Sequence, residues 1–414
     1  MSQRRVVVTG RAVVSPLGVG LDAHWRALVD GRTAIERLPR MAALGLPASR
    51  GAAVPAAAIQ PHLTRLPRKQ QKLYNRATLL GMLGASLAMD EAGLAPGAGD
   101  AARFGVVLGV NVVTWDLASM TQYLLAAQGP DGSAALDMAR ANVFCMHSIN
   151  PLDFSLKTLP NLAAGHMAIA HDAQAMCRAL TEGPVGGAHA IGQAYRAIAA
   201  GELDVALCGG TDALVEELLF ATYCGAGFLA HDDGGHPGFV AAEGSGLVVL
   251  EEAERARRRG AVVHGEVLGF ASGAGEGVMV AEQQPARLAA RIAGTVEAVV
   301  DEGGAPDVVS LHGDGGSPAD VAEALALEKV LGERVGGTAL LRMTPAYGDL
   351  GAASGPVEFL ACSALLEQAI IPSIVSTGSF RPASPQRALV ISLGLFGESV
   401  ALMLGVSEGG RRAA

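Results

Sequence analysis

Short aliphatic runs of four to six residues alternate along this chain with alanine-rich stretches of helical period. No other feature constrains the fold as much. Residues 5–9, 104–108, 203–207, 246–250, 308–311 and 389–393 are mostly aliphatic and end at glycine or charge, which predicts buried strands. Residues 77–92, 187–200, 285–302, 318–331 and 356–368 predict helices. Within 187–200 the apolar positions Ala188, Ile191, Ala194, Tyr195, Ile198 and Ala199 keep helical spacing, and Gly201 stops the run. The alternation predicts an α/β protein whose mostly parallel sheets are covered by helices.

A chain of 414 residues has room for two core-building units of roughly 200 each. Half of it is hydrophobic and 17% is charged, which with 54 glycines favours a tightly packed chain with many short turns over a disordered one. A charged connector, ERARRRG within residues 251–260, is where the chain divides. The net charge of −9 argues against a nucleic-acid or anionic-membrane partner. The two basic clusters, 65–72 and 255–259, read as solvated faces. No window offers about 20 uninterrupted apolar residues. The start, MSQRRVVVTG, has too short an apolar run for a signal peptide, so a cytoplasmic chain beginning in a strand is expected. Cys145, Cys177, Cys208, Cys224 and Cys362 are odd in number and lack CxxC spacing. They predict neither a metal site nor a disulfide framework, and no cofactor is expected.

Four glycine-rich turns fall where an α/β fold puts its chemistry, and each has a structural reading beside the chemical one. TEGPVGGAHAIGQA, residues 181–194, is a sharp turn entering a small-residue helix. The unpaired N–H groups and positive dipole end of such a helix activate a thiolate and bind an oxyanion. Pro184 offers neither nucleophile nor N–H, so this is either an emptied catalytic turn or a structural turn with proline in the first helical turn. LHGDGGSPADVAEALALEKVLG, residues 311–332, closes a strand at His312. That histidine is either an acid–base or oxyanion group at the sheet's C-terminal edge, or a satisfied rim residue. MTPAYGDLGAASGPVEFLACSALLEQ, residues 343–368, holds Asp349, by itself a turn residue or cap. SLGLFGESVALML, residues 392–404, breaks a strand at a Gly–Leu–Phe–Gly turn, which either brings backbone close to a ligand or simply reverses the chain.

In their order and spacing, these turns and three further stretches resemble the β-ketoacyl synthases of the thiolase superfamily over nearly the whole chain. VVVTGRAVVSPLG is similar to that family's opening strand and turn, and GELDVALCGGTDAL to the strand after its nucleophile helix. GFVAAEGSGLVVLEEAERARRRGA, residues 238–261, is similar to the signature around its EGxG turn. The resemblance implies a thiolase fold of two similar βαβ-type halves. These are residues 1–254, with dimer-interface and tunnel insertions, and residues 255–414, together forming a five-layered α–β–α–β–α sandwich.

Enzymes of that family acylate a cysteine in the turn before the nucleophile helix. Two histidines then assist malonyl decarboxylation and stabilise the enolate, while backbone N–H groups hold the thioester oxygen. An ungapped match of GGAHAIGQA sets Pro184 at the cysteine position. His312 retains the first histidine, Asp349 replaces the second, and Asp314 and glycines replace the threonines that follow the first. Loss of nucleophile or oxyanion donor alone costs roughly a hundredfold or more in rate, and a carboxylate at position 349 repels an enolate. The resemblance thus implies a chain without catalytic residues.

A degenerate synthase with its scaffold motifs intact resembles the chain-length factor, the β subunit of type II polyketide synthases. This implies a heterodimer with a catalytic ketosynthase α subunit, a shared elongation tunnel, and an acyl carrier protein that brings the growing chain. The glutamine usual at the cysteine position of such factors is absent, which points away from the aromatic branch and toward polyenes. Matching GVVLGVNVVTWDLASMTQ, residues 105–122, puts Trp115, Ala118, Ser119 and Gln122 at gating positions on one helix face, with Trp115 as the stopper. Leu395 falls near the gatekeeping phenylalanine of active synthases. Two other readings stand beside this one. One is an active β-ketoacyl synthase or acyltransferase with a displaced nucleophile, Cys177, seven residues upstream of Pro184. The other is a scaffold that binds acyl carrier protein without a ketosynthase partner.

Overall fold

The computed structural model describes residues 4–97, 99–112, 116–129, 135–148, 157–313 and 317–407. Ten principal strands carry the fold: β1 (Val6–Ser15), β2 (Phe104–Val110), β3 (Cys177–Leu180), β4 (Val205–Ala213), β5 (Ala241–Glu252), β6 (Gly265–Gly273), β7 (Val308–Leu311), β8 (Ala339–Arg342), β9 (Arg387–Leu393) and β10 (Ser399–Gly405). They pair in the order β8-β7-β9-β10-β6-β1-β5-β4-β2-β3. Read outward from the centre, each set of five repeats one topology, in which the first strand pairs with the fifth, then come the fourth, second and third. In both sets the second strand is parallel to the third and fourth, while the fifth is antiparallel to the fourth and the first. The sets meet where Val6–Val8 of β1 pair with Gly265–Val267 of β6.

The period-2 alternation of each strand explains the layers. On β2 and β4, Val106, Leu108, Val205 and Leu207 face one apolar cluster, and Val107, Ala206 and Cys208 face another. On β9 and β10, Leu389, Ile391, Ala401 and Met403 face outward, and Ala388, Val390, Val400 and Leu402 inward. Helices α1 (Arg76–Ala92) and α4 (Asn161–His171) cover the outer face of the first set, and α8 (Pro285–Gly303) and α9 (Pro318–Leu331) that of the second. Between the two sets lie α5 (Gly186–Ala199) and α10 (Ser354–Gln368). The five-layered α–β–α–β–α arrangement follows.

A helix between two sheets has no solvent face, and α10 is accordingly buried from Ser354 through Leu366. Each fully buried aliphatic side chain here contributes about 1.5–3 kcal/mol of transfer free energy. Two further helices, α2 (Leu117–Ala127) and α3 (Met138–Ser148), pack on each other and leave most of their surface open. Among the described residues, no helix is long and apolar enough to cross a membrane, and no cluster of histidine, cysteine and carboxylate is arranged to hold a metal ion.

The five expected helices lie within two residues of their observed bounds, because their apolar period and punctuation are strong. Expected strands were cut short wherever glycine or a polar residue enters a buried strand: β4 continues through Gly209, Gly210, Thr211 and Asp212, all buried. The charged run 251–260 is not a loose connector, and its basic cluster is not simply solvated. It forms the helix Ala253–Arg258, and Arg255 and Arg259 both grip Glu251, whose side chain has no exposure. A charge at the end of a buried strand is neutralised there, as desolvation requires.

Candidate functional site

Strand β3 leaves the sheet at Leu180 and turns through Gly183, whose φ of 59° suits a residue without a Cβ. Gly183–Val185 form one turn of 3₁₀ helix before α5 begins at Gly186. Pro184 is buried in that turn. Its ring fixes φ and removes the N–H that this position would otherwise present. The backbone packs tightly at this turn: a Cβ on Gly187 would sit 2.0 Å from the Ala352 carbonyl oxygen. Glu182, just before the turn, accepts a 2.5 Å hydrogen bond from His189 Nδ1 on α5, and the His189 ring stacks on Phe270 at 5.7 Å.

His312 follows β7 directly. Its backbone N–H and that of Gly313 donate to the two carboxylate oxygens of Glu323 on α9, at 2.8 and 2.9 Å. Burial pushes the Glu323 carboxyl up to about 7 and holds the His312 imidazole below its ordinary value. His312 Nδ1 is buried without a hydrogen-bond partner among the described residues. Neighbouring Asp349 and Asp320 partly offset the imidazole's shift.

Asp349 is a turn residue and a cap at once. Its Oδ1 accepts from the Gly351 N–H at 2.7 Å and from the Ser354 hydroxyl at 2.9 Å, which fixes the entry to α10. Its own backbone bonds Val240 and Ala242 on either side. The structural reading of Asp349 therefore holds, and its carboxylate also lines a cavity of 120 Å³ together with His312, Thr344 and Leu395.

Leu395 stands in the turn between β9 and β10, where its carbonyl accepts the Val280 N–H at 2.9 Å. It also lines a second, open cavity of 610 Å³, shared with Pro184, Glu182 and His189. The structure thus gathers Pro184, His312, Asp349 and Leu395 around two cavities with Leu395 between them.

The positions expected to gate a tunnel lie elsewhere. Ser119 donates its N–H to the Asp116 carboxylate at 2.9 Å, capping α2, and these bonds draw the Asp116 carboxyl below its usual range. Ala118 and Gln122 are exposed on the same helix, and none of the three lines either cavity. Trp115 and Asp314 lie outside the described residues. Cys177 is exposed on β3, and partial burial of its sulfur pushes the thiol up rather than toward a thiolate.

Sequence reasoning missed three buried carboxyls around these loops. Glu323 was legible as an acid on the same face as buried Ala319, Ala322, Ala326 and Leu327. Asp212 accepts the Ala352 N–H at 3.0 Å and the Ala213 N–H at 2.8 Å, and burial pushes it to about 7. Glu358 accepts from the Ser310 hydroxyl at 3.0 Å, and burial pushes its carboxyl well above the usual carboxylate range.

The family model for the beta-ketoacyl synthase N-terminal domain matches residues 3–256, and that for the C-terminal domain matches 264–377. A 3-oxoacyl-[acyl-carrier-protein] synthase 2 of Rhizobium meliloti (strain 1021) is 28% identical over 397 residues, covering 89% of this chain and 88% of its own. A putative polyketide beta-ketoacyl synthase 1 of Streptomyces halstedii is 29% identical over 397 residues, covering 92% and 90%. Among solved structures, the ishigamide ketosynthase/chain length factor superposes with a TM-score of 0.80 over 98% of this chain and 100% of that one. At 23% identity, this last likeness speaks to the fold.

Proposed function

The chain belongs to the beta-ketoacyl synthase family of the thiolase superfamily, and from that premise we propose that it is a non-catalytic chain-length factor. In this reading it is a cytoplasmic subunit that pairs with a catalytic ketosynthase α subunit. Together they form and gate the elongation tunnel of a type II polyketide synthase, of a polyene rather than an aromatic branch, and an acyl carrier protein delivers the chain. The observation that carries the reading is Pro184. It fills the nucleophile turn with a residue that has neither a thiol nor an N–H, while the surrounding turn keeps its tight packing. Asp349 adds to it, since its carboxylate is committed to capping α10 and cannot act as the second histidine would.

Exposed apolar side chains support a partner. The paired helices α2 and α3 carry Leu125 and Met146 at 65% and 78% exposure, and Leu124, Met138 and Val143 are exposed on them too. A concentration of exposed apolar residues of this kind is what protein association uses. The proposed gate face of Ala118, Ser119 and Gln122 belongs to the same helix pair, where a second subunit would enclose it.

A catalytic reading draws on the names of the relatives, which are those of synthases. It would need Cys177 as nucleophile, and the raised thiol pKa counts against that. Co-expression with a ketosynthase-like chain tests the choice. A stable heterodimer is expected, with no covalent adduct on this chain after exposure to acyl- or malonyl-loaded carrier protein. A homodimer indifferent to that partner, or an adduct on Cys177, would sink the proposal.

A further inference from the structure

We propose that the 120 Å³ cavity between His312, Asp349 and the β9–β10 turn binds a small aliphatic primary amine, held as its ammonium ion. Among the described residues that line this cavity, Asp349 is the one carboxylate and His312 the one other ionisable group. No lysine or arginine lines it. Asp349 is only 4% exposed, whereas Pro237 on the same wall is exposed. The carboxylate therefore lies at the inner end of a space that opens past Pro237.

Half of that carboxylate is used. Oδ1 accepts the Gly351 N–H and the Ser354 hydroxyl, at 2.7 and 2.9 Å, while no hydrogen bond or ion pair from the described residues reaches Oδ2. A buried charge without a cation is costly. The neighbouring acids feel it: burial, with the Asp349 charge adding to it, pushes the Asp212 and Glu358 carboxyls up. His312 does not supply the missing cation, because burial holds its imidazole below the ordinary value and leaves it neutral at pH 7. The Thr344 hydroxyl donates to the Gly313 carbonyl at 3.3 Å, so its oxygen is left to accept. The cavity thus presents acceptors, and an ammonium group brings three donors and the charge that Oδ2 lacks.

The remaining wall suits the stem of such a ligand. Phe228, Phe239, Val280, Leu393 and Leu395 make it largely apolar. Tyr223, on α6 (Glu217–Gly225), holds both phenyl rings, Phe228 at 5.7 Å and Phe239 edge-on at 5.8 Å. Its own hydroxyl accepts Asn111 Nδ2 at 2.8 Å. Rings fixed in this way cover an alkyl chain and attract a cation through their faces. At roughly 10–15 Å³ of such volume per water, the cavity has room for about ten water-sized groups, enough for an alkylammonium of about five carbons and a few waters. A carboxylate ligand of the same length would meet Asp349 as a like charge.

The test uses the full chain and three ligands of equal length, pentylammonium, pentanol and pentanoate, with binding followed by ligand-observed NMR at neutral pH. Pentylammonium should bind about tenfold tighter than pentanol, as one charge-assisted hydrogen bond provides, and pentanoate should not displace it. Asp349→Asn keeps an oxygen for the cap and turns an amide toward the cavity. It should weaken pentylammonium about tenfold and close the gap to pentanol. Phe239→Leu, which keeps the wall apolar, should weaken pentylammonium about threefold and pentanol much less. Thermal unfolding identifies variants that remain folded. A parent chain that takes up no amine, or that holds pentanoate as tightly as pentylammonium, overturns the inference. So does a folded Asp349→Asn chain with the parent's affinity for the amine.

Discussion

Glu323 holds the backbone N–H of His312 at 2.8 Å from inside α9, so the loop carrying this histidine is anchored by a buried acid. The neighbouring N–H of Gly313 takes the other carboxylate oxygen. Two such bonds favour the charged form, yet burial outweighs them and raises the carboxyl from its ordinary 4.5 to about 7.

The sign of the resulting pH dependence is fixed. A carboxyl raised on folding stabilises the fold fully below its unfolded pKa and loses that contribution as pH climbs through the folded value. The shift corresponds to about 3 kcal/mol lost between pH 4.5 and 7. Glu323→Gln cannot ionise, although it exchanges one acceptor for a donor and so weakens one of the two N–H bonds at every pH. Urea unfolding of parent and variant at pH 5 and pH 8 should therefore reveal a smaller difference at pH 8. Parallel stability curves would contradict the assignment.

Asp349 separates a structural from a chemical role. Asp349→Ala strands a buried N–H at Gly351 and should cost about 1–3 kcal/mol. Asp349→Asn keeps an oxygen at the Oδ1 position and should cost under about 1 kcal/mol. Equal losses in the two variants, measured by chemical denaturation, would mean that charge rather than capping holds the turn.

How far the sequence could be read depends on whether a residue's role is local. Residues 308–311 and 318–331 were legible as strand and helix to the residue, because the aliphatic run and the glycine-rich turn ending at Pro318 are local signals. Pro184 and Asp349 were legible as departures from a motif, and the structure brings both beside Leu395. β3 was missed because CRAL is short, sits at the end of the sheet and carries Arg178. β6 was missed because Glu266 and three glycines break its apolar period. Asn111 and Tyr223, 112 positions apart, carry no joint signal in a linear chain. Neither do Asp212 and Ala352, which meet only when the β4 end reaches the α10 turn.

Pro184→Cys asks how much chemistry the scaffold retains. A thiol there would sit at the N-terminus of α5, where the dipole favours a thiolate, and should be acylated by an activated thioester. If Asp349 stands where the family has its second histidine, as proposed, its carboxylate would repel an enolate and condensation should still fail. Adding Asp349→His should raise malonyl-dependent condensation by about a hundredfold or more over Pro184→Cys alone, followed by product mass spectrometry. Efficient condensation by the single variant would mean that His312 suffices and that Asp349 is not a barrier.

The exposed apolar face of α2 and α3 gives the last test. Leu125 and Met146 contribute little to the folded chain, since each is more than half exposed. Leu125→Asp and Met146→Asp should therefore change the free chain's stability by no more than about 0.5 kcal/mol. In an interface of stable heterodimer size, the same carboxylates would be buried without partners, at a cost of several kcal/mol each. The double variant should consequently remain folded and lose the ketosynthase partner on size-exclusion chromatography of the co-expressed pair. A folded double variant that still co-elutes with that partner would place the interface elsewhere on the chain. The proposed gate helix would then face solvent in the complex as it does in the free subunit.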